Sequence, residues 1–256
     1  MKYIVSILIT ISSLFFSGCF FQEEEIRESI TGGKTPKEIY IEGQFQLEGG
    51  QLDEAAKTFD KLQAAYPASK YSLQSKIDII YAMYEKERFD DAIDSLNEYI
   101  KLYPNHFSTP YAYYLKAVSA EDKSKSILDE YITDNAERDT SSVKNAFNYY
   151  MELINKFPDS EYAKEAKDKL VVIRNILARH ELSIAIFYTK INAHIGAVNR
   201  CKFIIEKFPN TPSVPAALHL MAYNYEKLGS VDLSQDASRV LQNSYPKYIP
   251  HYTLED

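Results

Sequence analysis

The chain has 256 residues, 45% apolar and 25% charged, the proportions of a folded globular protein rather than a disordered or fibrous one. Its formal net charge of −7 lacks the basic footprint that nucleic-acid binding requires, and its Lys/Arg residues alternate with Glu/Asp as solvated helix faces do. Aromatic usage is lopsided, with 21 Tyr, 13 Phe and no Trp, which suits packing between helices and a recognition surface.

Residues 1–18 read as an export signal. Lys2 is followed by an apolar run from Tyr3 to Phe16 that is short for a membrane span, and then by Ser17-Gly18 before Cys19. A Cys placed after two small residues resembles the lipoprotein signal, in which that Cys is acylated; Phe16 departs from the usual Leu. An ordinary cleaved signal with an incidental Cys is the alternative. The acylated reading leaves Cys201 as the other thiol, so no intramolecular disulfide forms, and Cys201 falls in an apolar periodic run that predicts burial. In Gram-negative lipoproteins Asp after the acylated Cys retains the protein in the inner membrane. Phe20 stands there instead, which points to the outer membrane. Residues 19–34 are expected to form a flexible tether.

Beyond the tether an aromatic–Pro mark recurs five times: Tyr66-Pro67, Tyr103-Pro104, Phe157-Pro158, Phe208-Pro209 and Tyr245-Pro246, spaced by 37, 54, 51 and 37 residues. Helix pairs of this length, each closed by proline, are the signature of tetratricopeptide-type repeats. The expected fold is all-α, a superhelical solenoid of five helix pairs and about ten main helices, over 35–67, 70–104, 109–158, 161–209 and 212–246. Thr35-Pro36-Lys37-Glu38 predicts a capped start to the first helix, and Gly49-Gly50 its end. Leu52-Asp53-Glu54-Ala55 is echoed 37 residues on by Phe89-Asp90-Asp91-Ala92, and Leu73, Ile77, Ile80, Tyr81 and Tyr84 form one helical stripe. Polar residues 119–142 are expected to interrupt the third unit, with a short helix at Ser126–Tyr131. The fourth unit opens with an unusually long helix from Tyr162 to Tyr188. Gly229 marks the turn of the fifth, and residues 247–256 are expected to fray.

No catalytic or metal-binding pattern is present. The five His residues show no ligand spacing, His180-Glu181 is expected on a helix surface, and the carboxylates are expected on helix exteriors. These features point to a binding protein, with no cofactor and no metal.

The repeat order, together with Ile77-Asp78-Ile79-Ile80-Tyr81-Ala82-Met83-Tyr84, Arg138-Asp139, Leu177-Ala178-Arg179-His180-Glu181 and Ala197-Val198-Asn199-Arg200, resembles the BamD-like lipoproteins of the outer-membrane β-barrel assembly machinery. His194 and Ile191 depart from that pattern, where an aromatic and a basic residue are usual. The resemblance implies a non-enzymatic scaffold, lipid-anchored at Cys19 on the periplasmic face of the outer membrane. It implies that C-terminal repeats bind the POTRA domains of a BamA-like barrel subunit, beside other assembly lipoproteins, and that N-terminal repeats receive unfolded β-barrel clients. Asn199, Arg200 and Glu181 are the candidate partner-binding residues; Arg200 either faces the partner or pairs internally with Glu181. Tyr40, Tyr81 and Tyr84 are the client candidates, or else pack between repeats. The alternative function is a periplasmic repeat lipoprotein that coordinates envelope division or peptidoglycan synthesis.

Overall fold

The computed structural model describes residue 24, residues 26–129 and residues 140–252. The signal segment, Cys19, Phe20 and Arg138-Asp139 lie outside them. After a helical stretch at 26–31, ten α-helices follow among the described residues: α1 (Pro36–Glu48), α2 (Leu52–Ala65), α3 (Lys70–Glu85), α4 (Phe89–Leu102), α5 (Thr109–Asp129), α6 (Ser141–Lys156), α7 (Glu161–Lys190), α8 (His194–Lys207), α9 (Val214–Lys227) and α10 (Val231–Ser244). The described residues contain no strand. The chain divides into two compact units, ending and beginning at Ala112 and Tyr113. In the first, each of α1 to α4 packs on the next and α1 also touches α3; in the second, α6 to α10 do the same and α7 also touches α9. Contact of each pair's first helix with the first helix of the next pair is how tetratricopeptide units stack.

Two local conformations repeat, and both follow from residue chemistry. The aromatic before each proline ends a helix with nearly the same backbone: φ −135°, ψ 60° at Tyr66, −128°, 54° at Tyr103, −133°, 59° at Phe157, −124°, 48° at Phe208 and −136°, 57° at Tyr245. Proline's Cδ excludes the α region for the residue before it, so the helix must stop there. The turn inside a pair instead uses a left-handed residue: Gly50 (φ 72°), Glu87 (58°), Asn192 (57°) and Gly229 (73°). Each sits in a paired closure, as in Glu87 N–H to Tyr84 O at 2.8 Å and Arg88 N–H to Met83 O at 3.0 Å. At the start of α1, Thr35 and Glu38 form the expected capping box.

The second helices of the first four pairs carry a repeated core. Ala55, Ala92, Ala146 and Ala197 lie at one position before the aromatic–Pro mark, and all are fully buried. Phe59, Leu96, Tyr150 and Cys201 share the next helical turn and are fully buried as well. Cys201 is thus a packing residue, and burial pushes its thiol up to about 12. Small residues let the paired helices approach. The closest approach is at Gly43, where an added Cβ would lie 2.3 Å from the Phe59 ring.

Four expectations require correction. Residues 26–31, expected as part of a flexible tether, are helical, with Arg27 over the Tyr66 ring at 5.4 Å and Thr31 buried. Residues 119–129 continue α5 as helix; Ser119, Ala120, Glu121 and Ser124 are buried where an interruption of the third unit was expected. Ser126–Asp129 belongs to that same helix and 130–139 lie outside the described residues, so no separate short helix stands at Ser126–Tyr131 among them. The tail does not fray over 247–252: Tyr252 packs against the cluster of Ala185, Cys201 and Leu220, and its hydroxyl lies 2.8 Å from His219 Nδ1.

Candidate functional site: the α7–α8 surface and the tyrosines of the first unit

The 30-residue α7 begins at Ser160, whose hydroxyl accepts the Ala163 N–H at 3.2 Å. Its length carries Glu181 opposite the second turn of α8. Arg200 Nη1 donates to Glu181 Oε2 at 2.8 Å, with side-chain exposures of 40% and 7%. Glu181 is therefore buried, contrary to the expected surface position, and a buried carboxylate needs such a partner. Of the two roles considered for Arg200, the internal pair is formed. It engages one of five guanidinium N–H donors and leaves the half-exposed fork at the surface beside exposed Asn199.

A polar network ties the end of α7 and the start of α8 to α9. His194 Nδ1 lies 2.9 Å from Asn224 Oδ1; Asn224, fully buried, donates to Thr189 Oγ1 at 2.8 Å and Leu220 O at 2.7 Å. His194 is thus held as a hydrogen-bonding group. Around the α7–α8 turn Phe187, Ile191 and Ile195 are exposed. Sequence reasoning missed these exposed apolar residues; Phe187 and Ile191 stand one turn apart at the end of α7, whereas Ile195 lies past the left-handed turn at Asn192, so no single helical period joins the three.

In the first unit the client candidates separate into two groups. Tyr40 stacks with Phe59 and Tyr71 at 5.9 and 5.3 Å and accepts from Gln44 Nε2 at 3.1 Å. Tyr81 lies 6.1 Å from Tyr84, which lies 5.9 Å from Phe89. All three are half-buried, so packing and partial exposure coexist in each. A cleft of about 240 Å³ also opens between α2, α3 and α4, lined by Gln63, Lys76, Ile79, Met83, Tyr99 and Tyr103 among others.

Asp78, beside Tyr40, corrects the expectation that carboxylates lie outside, as do Glu181 and Glu121, which accepts from the Tyr150 hydroxyl at 2.7 Å. Burial pushes the Asp78 carboxyl up to about 6, opposed by hydrogen bonding from Tyr40, Gln74 and Gln44, and its Oδ2 has no hydrogen-bond partner. Because the unfolded value is near 3.9, the folded state holds the extra proton between about pH 4 and 6. Stability attributable to this group therefore falls as pH rises through that window and stays reduced above it. Asp78→Asn is expected to stabilise the protein by roughly 2 kcal/mol at pH 7.5 and by little at pH 4. Urea unfolding at the two pH values checks this; equal effects at both would contradict it.

Among the described residues no group of three or more His, Cys, Asp or Glu could hold a metal ion, and no helix is long and apolar enough to cross a membrane. The consecutive helix pairs, the repeated closing turns and the shared buried positions make this a helical-repeat protein of the tetratricopeptide type. The family profile described as "Outer membrane lipoprotein" (YfiO) matches residues 33–241, and the chain belongs to that family. A Neisseria meningitidis serogroup A protein named "Outer membrane protein assembly factor BamD" is 32% identical over 94% of this chain and 91% of its own length. A Pasteurella multocida protein of the same name is 32% identical over 80% of each. The crystal structure of a MamA protein aligns with 85% of this chain and 98% of its own at 16% identity and TM-score 0.37.

Proposed function

We propose that this protein is a non-catalytic scaffold of the outer-membrane β-barrel assembly machinery. The observation that carries the reading is the end-to-end likeness to relatives named as outer membrane protein assembly factors. In this reading the α7–α8 surface binds the POTRA domains of a BamA-like barrel subunit. Arg200 and Asn199 supply polar contacts, Glu181 holds Arg200 in place, and Phe187, Ile191 and Ile195 supply apolar area, the mixture that interface centres favour. Tyr40, Tyr81 and Tyr84 present aromatic surface to unfolded β-barrel clients. Other assembly lipoproteins share the complex.

The protein is held on the periplasmic face of the outer membrane by lipid on Cys19, with Phe20 as the sorting residue. Anchoring raises the effective concentration of scaffold and barrel subunit without adding a contact. Acyl chains contribute about 0.8 kcal/mol per buried methylene, so several chains make dissociation negligible. Exported behind an ordinary cleavable signal and purified free of partners, the Cys19→Ala protein is accordingly expected to keep its helical circular dichroism and stay in the supernatant when lipid vesicles are pelleted, whereas the acylated parent pellets with them. Retention in the pellet would remove the anchor from the account. Binding of purified POTRA domains to the purified protein, measured by calorimetry, tests the partner assignment; no detectable heat or displacement at tens of micromolar would refute it.

A further inference from the structure

The face of α1 turned away from its neighbours carries an apolar pair. Ile39 and Gly43 are buried, while Ile41 and Phe45, one helical turn apart on the opposite stripe, are 53% and 75% exposed. Ile26 and Ile30, also one turn apart, are exposed in the helical stretch before it. The end unit of a repeat array ordinarily turns a polar face outward, because no further repeat covers it. Four large apolar side chains exposed at this end call for an occupant.

Chain length identifies it. Ile26 follows Cys19 by seven residues (26 − 19), and seven residues span at most about 25 Å when fully extended. An acyl group on Cys19 would therefore hold Ile26 within that distance of the bilayer surface, with Ile30 one helical turn beyond it and Ile41 and Phe45 a further 11 and 15 residues along the chain. A partner protein would have to compete for this face with a surface tethered permanently beside it. We infer that the first helices rest on the membrane, with Ile41 and Phe45 entering the headgroup–acyl boundary of the leaflet that carries the lipid. Apolar side chains at an interface bury into that boundary and fix the orientation of the element bearing them. This contact rests on the proposed acylation of Cys19 and adds to it: the lipid sets distance, and the side chains set which face of the first unit meets the bilayer.

The test uses full-length protein purified from membranes in mild detergent and returned to vesicles of phosphatidylethanolamine and phosphatidylglycerol. Phe45→Cys is labelled with an environment-sensitive nitrobenzoxadiazole dye, and Glu98→Cys, exposed on α4, serves as control; Cys201 is buried and does not label. The expected result is a blue-shifted emission at position 45, quenched several-fold more by shallow spin-labelled lipid than at position 98. Ile41→Asp in the same labelled protein should return position 45 toward the aqueous spectrum with unchanged circular dichroism. Water-like emission at position 45, in protein whose N-terminal acylation is verified by mass spectrometry, overturns the inference and leaves the anchor intact. Mass spectrometry showing no acyl chain overturns both. Protection of position 45 only after a partner protein is added assigns the face to that partner and overturns the membrane contact.

Discussion

Arg200→Glu is expected to destabilise the isolated protein by about 2–3 kcal/mol, below the full cost of breaking a buried pair because the Arg200 side chain is 40% exposed. Glu181 would then be a buried carboxylate that has lost the guanidinium bonded to it at 2.8 Å and gained a like charge nearby. The swapped double variant Arg200→Glu/Glu181→Arg distinguishes the internal role of the pair from its outward role. It restores opposite charges but places the negative group at the surface and the guanidinium inside. Most of the stability should return, as a coupling of more than 1 kcal/mol in a double-mutant cycle followed by urea unfolding. Affinity for POTRA domains should stay reduced by at least about tenfold, the consequence of replacing a partner-facing cation by an anion. Recovery of binding together with stability would show that Arg200 acts only inside the protein.

A second large effect is expected at Gly43. Its hydrogen points at the Phe59 ring, and the Cβ of any replacement would overlap three ring carbons at 2.3, 2.7 and 2.8 Å. Phe59 is fully buried and cannot swing away without opening a cavity. Gly43→Leu should cost about 3 kcal/mol or more, at or beyond the upper range for overpacking, although leucine is by itself the better helix former. Hydrogen exchange should localise the loss to α1 and α2, with α8 to α10 unaffected. Adding Phe59→Leu should recover part of it by making room. A Gly43→Leu protein as stable as the parent would mean that α1 and α2 do not approach this closely.

How much of this was legible beforehand depended on the range of the interaction. The aromatic–Pro closures were plain because proline acts on the residue next to it. The turn at Gly229 and the Thr35 cap were equally local. The left-handed turns at Glu87 and Asn192 were not announced by glycine; their positions, 37 residues from Gly50 and Gly229, were the usable signal. The extension of α5 was hidden because Ser119, Glu121 and Ser124 read as solvated polarity, whereas the helix buries them, with Ser119 donating to Leu115 O at 2.7 Å. Burial of Asp78 and Glu181 depends on helices distant in sequence, and no local pattern records it. The tail misled for the same reason: Tyr252 finds His219 from 33 residues away.

The most direct test of the scaffold assignment is co-purification of C-terminally tagged protein from membranes in mild detergent, with stoichiometric partners identified by mass spectrometry. The account predicts a POTRA-bearing β-barrel subunit in the eluate, diminished by the swapped Arg200→Glu/Glu181→Arg variant. An eluate holding only cell-wall or division proteins, unchanged by that variant, would contradict it.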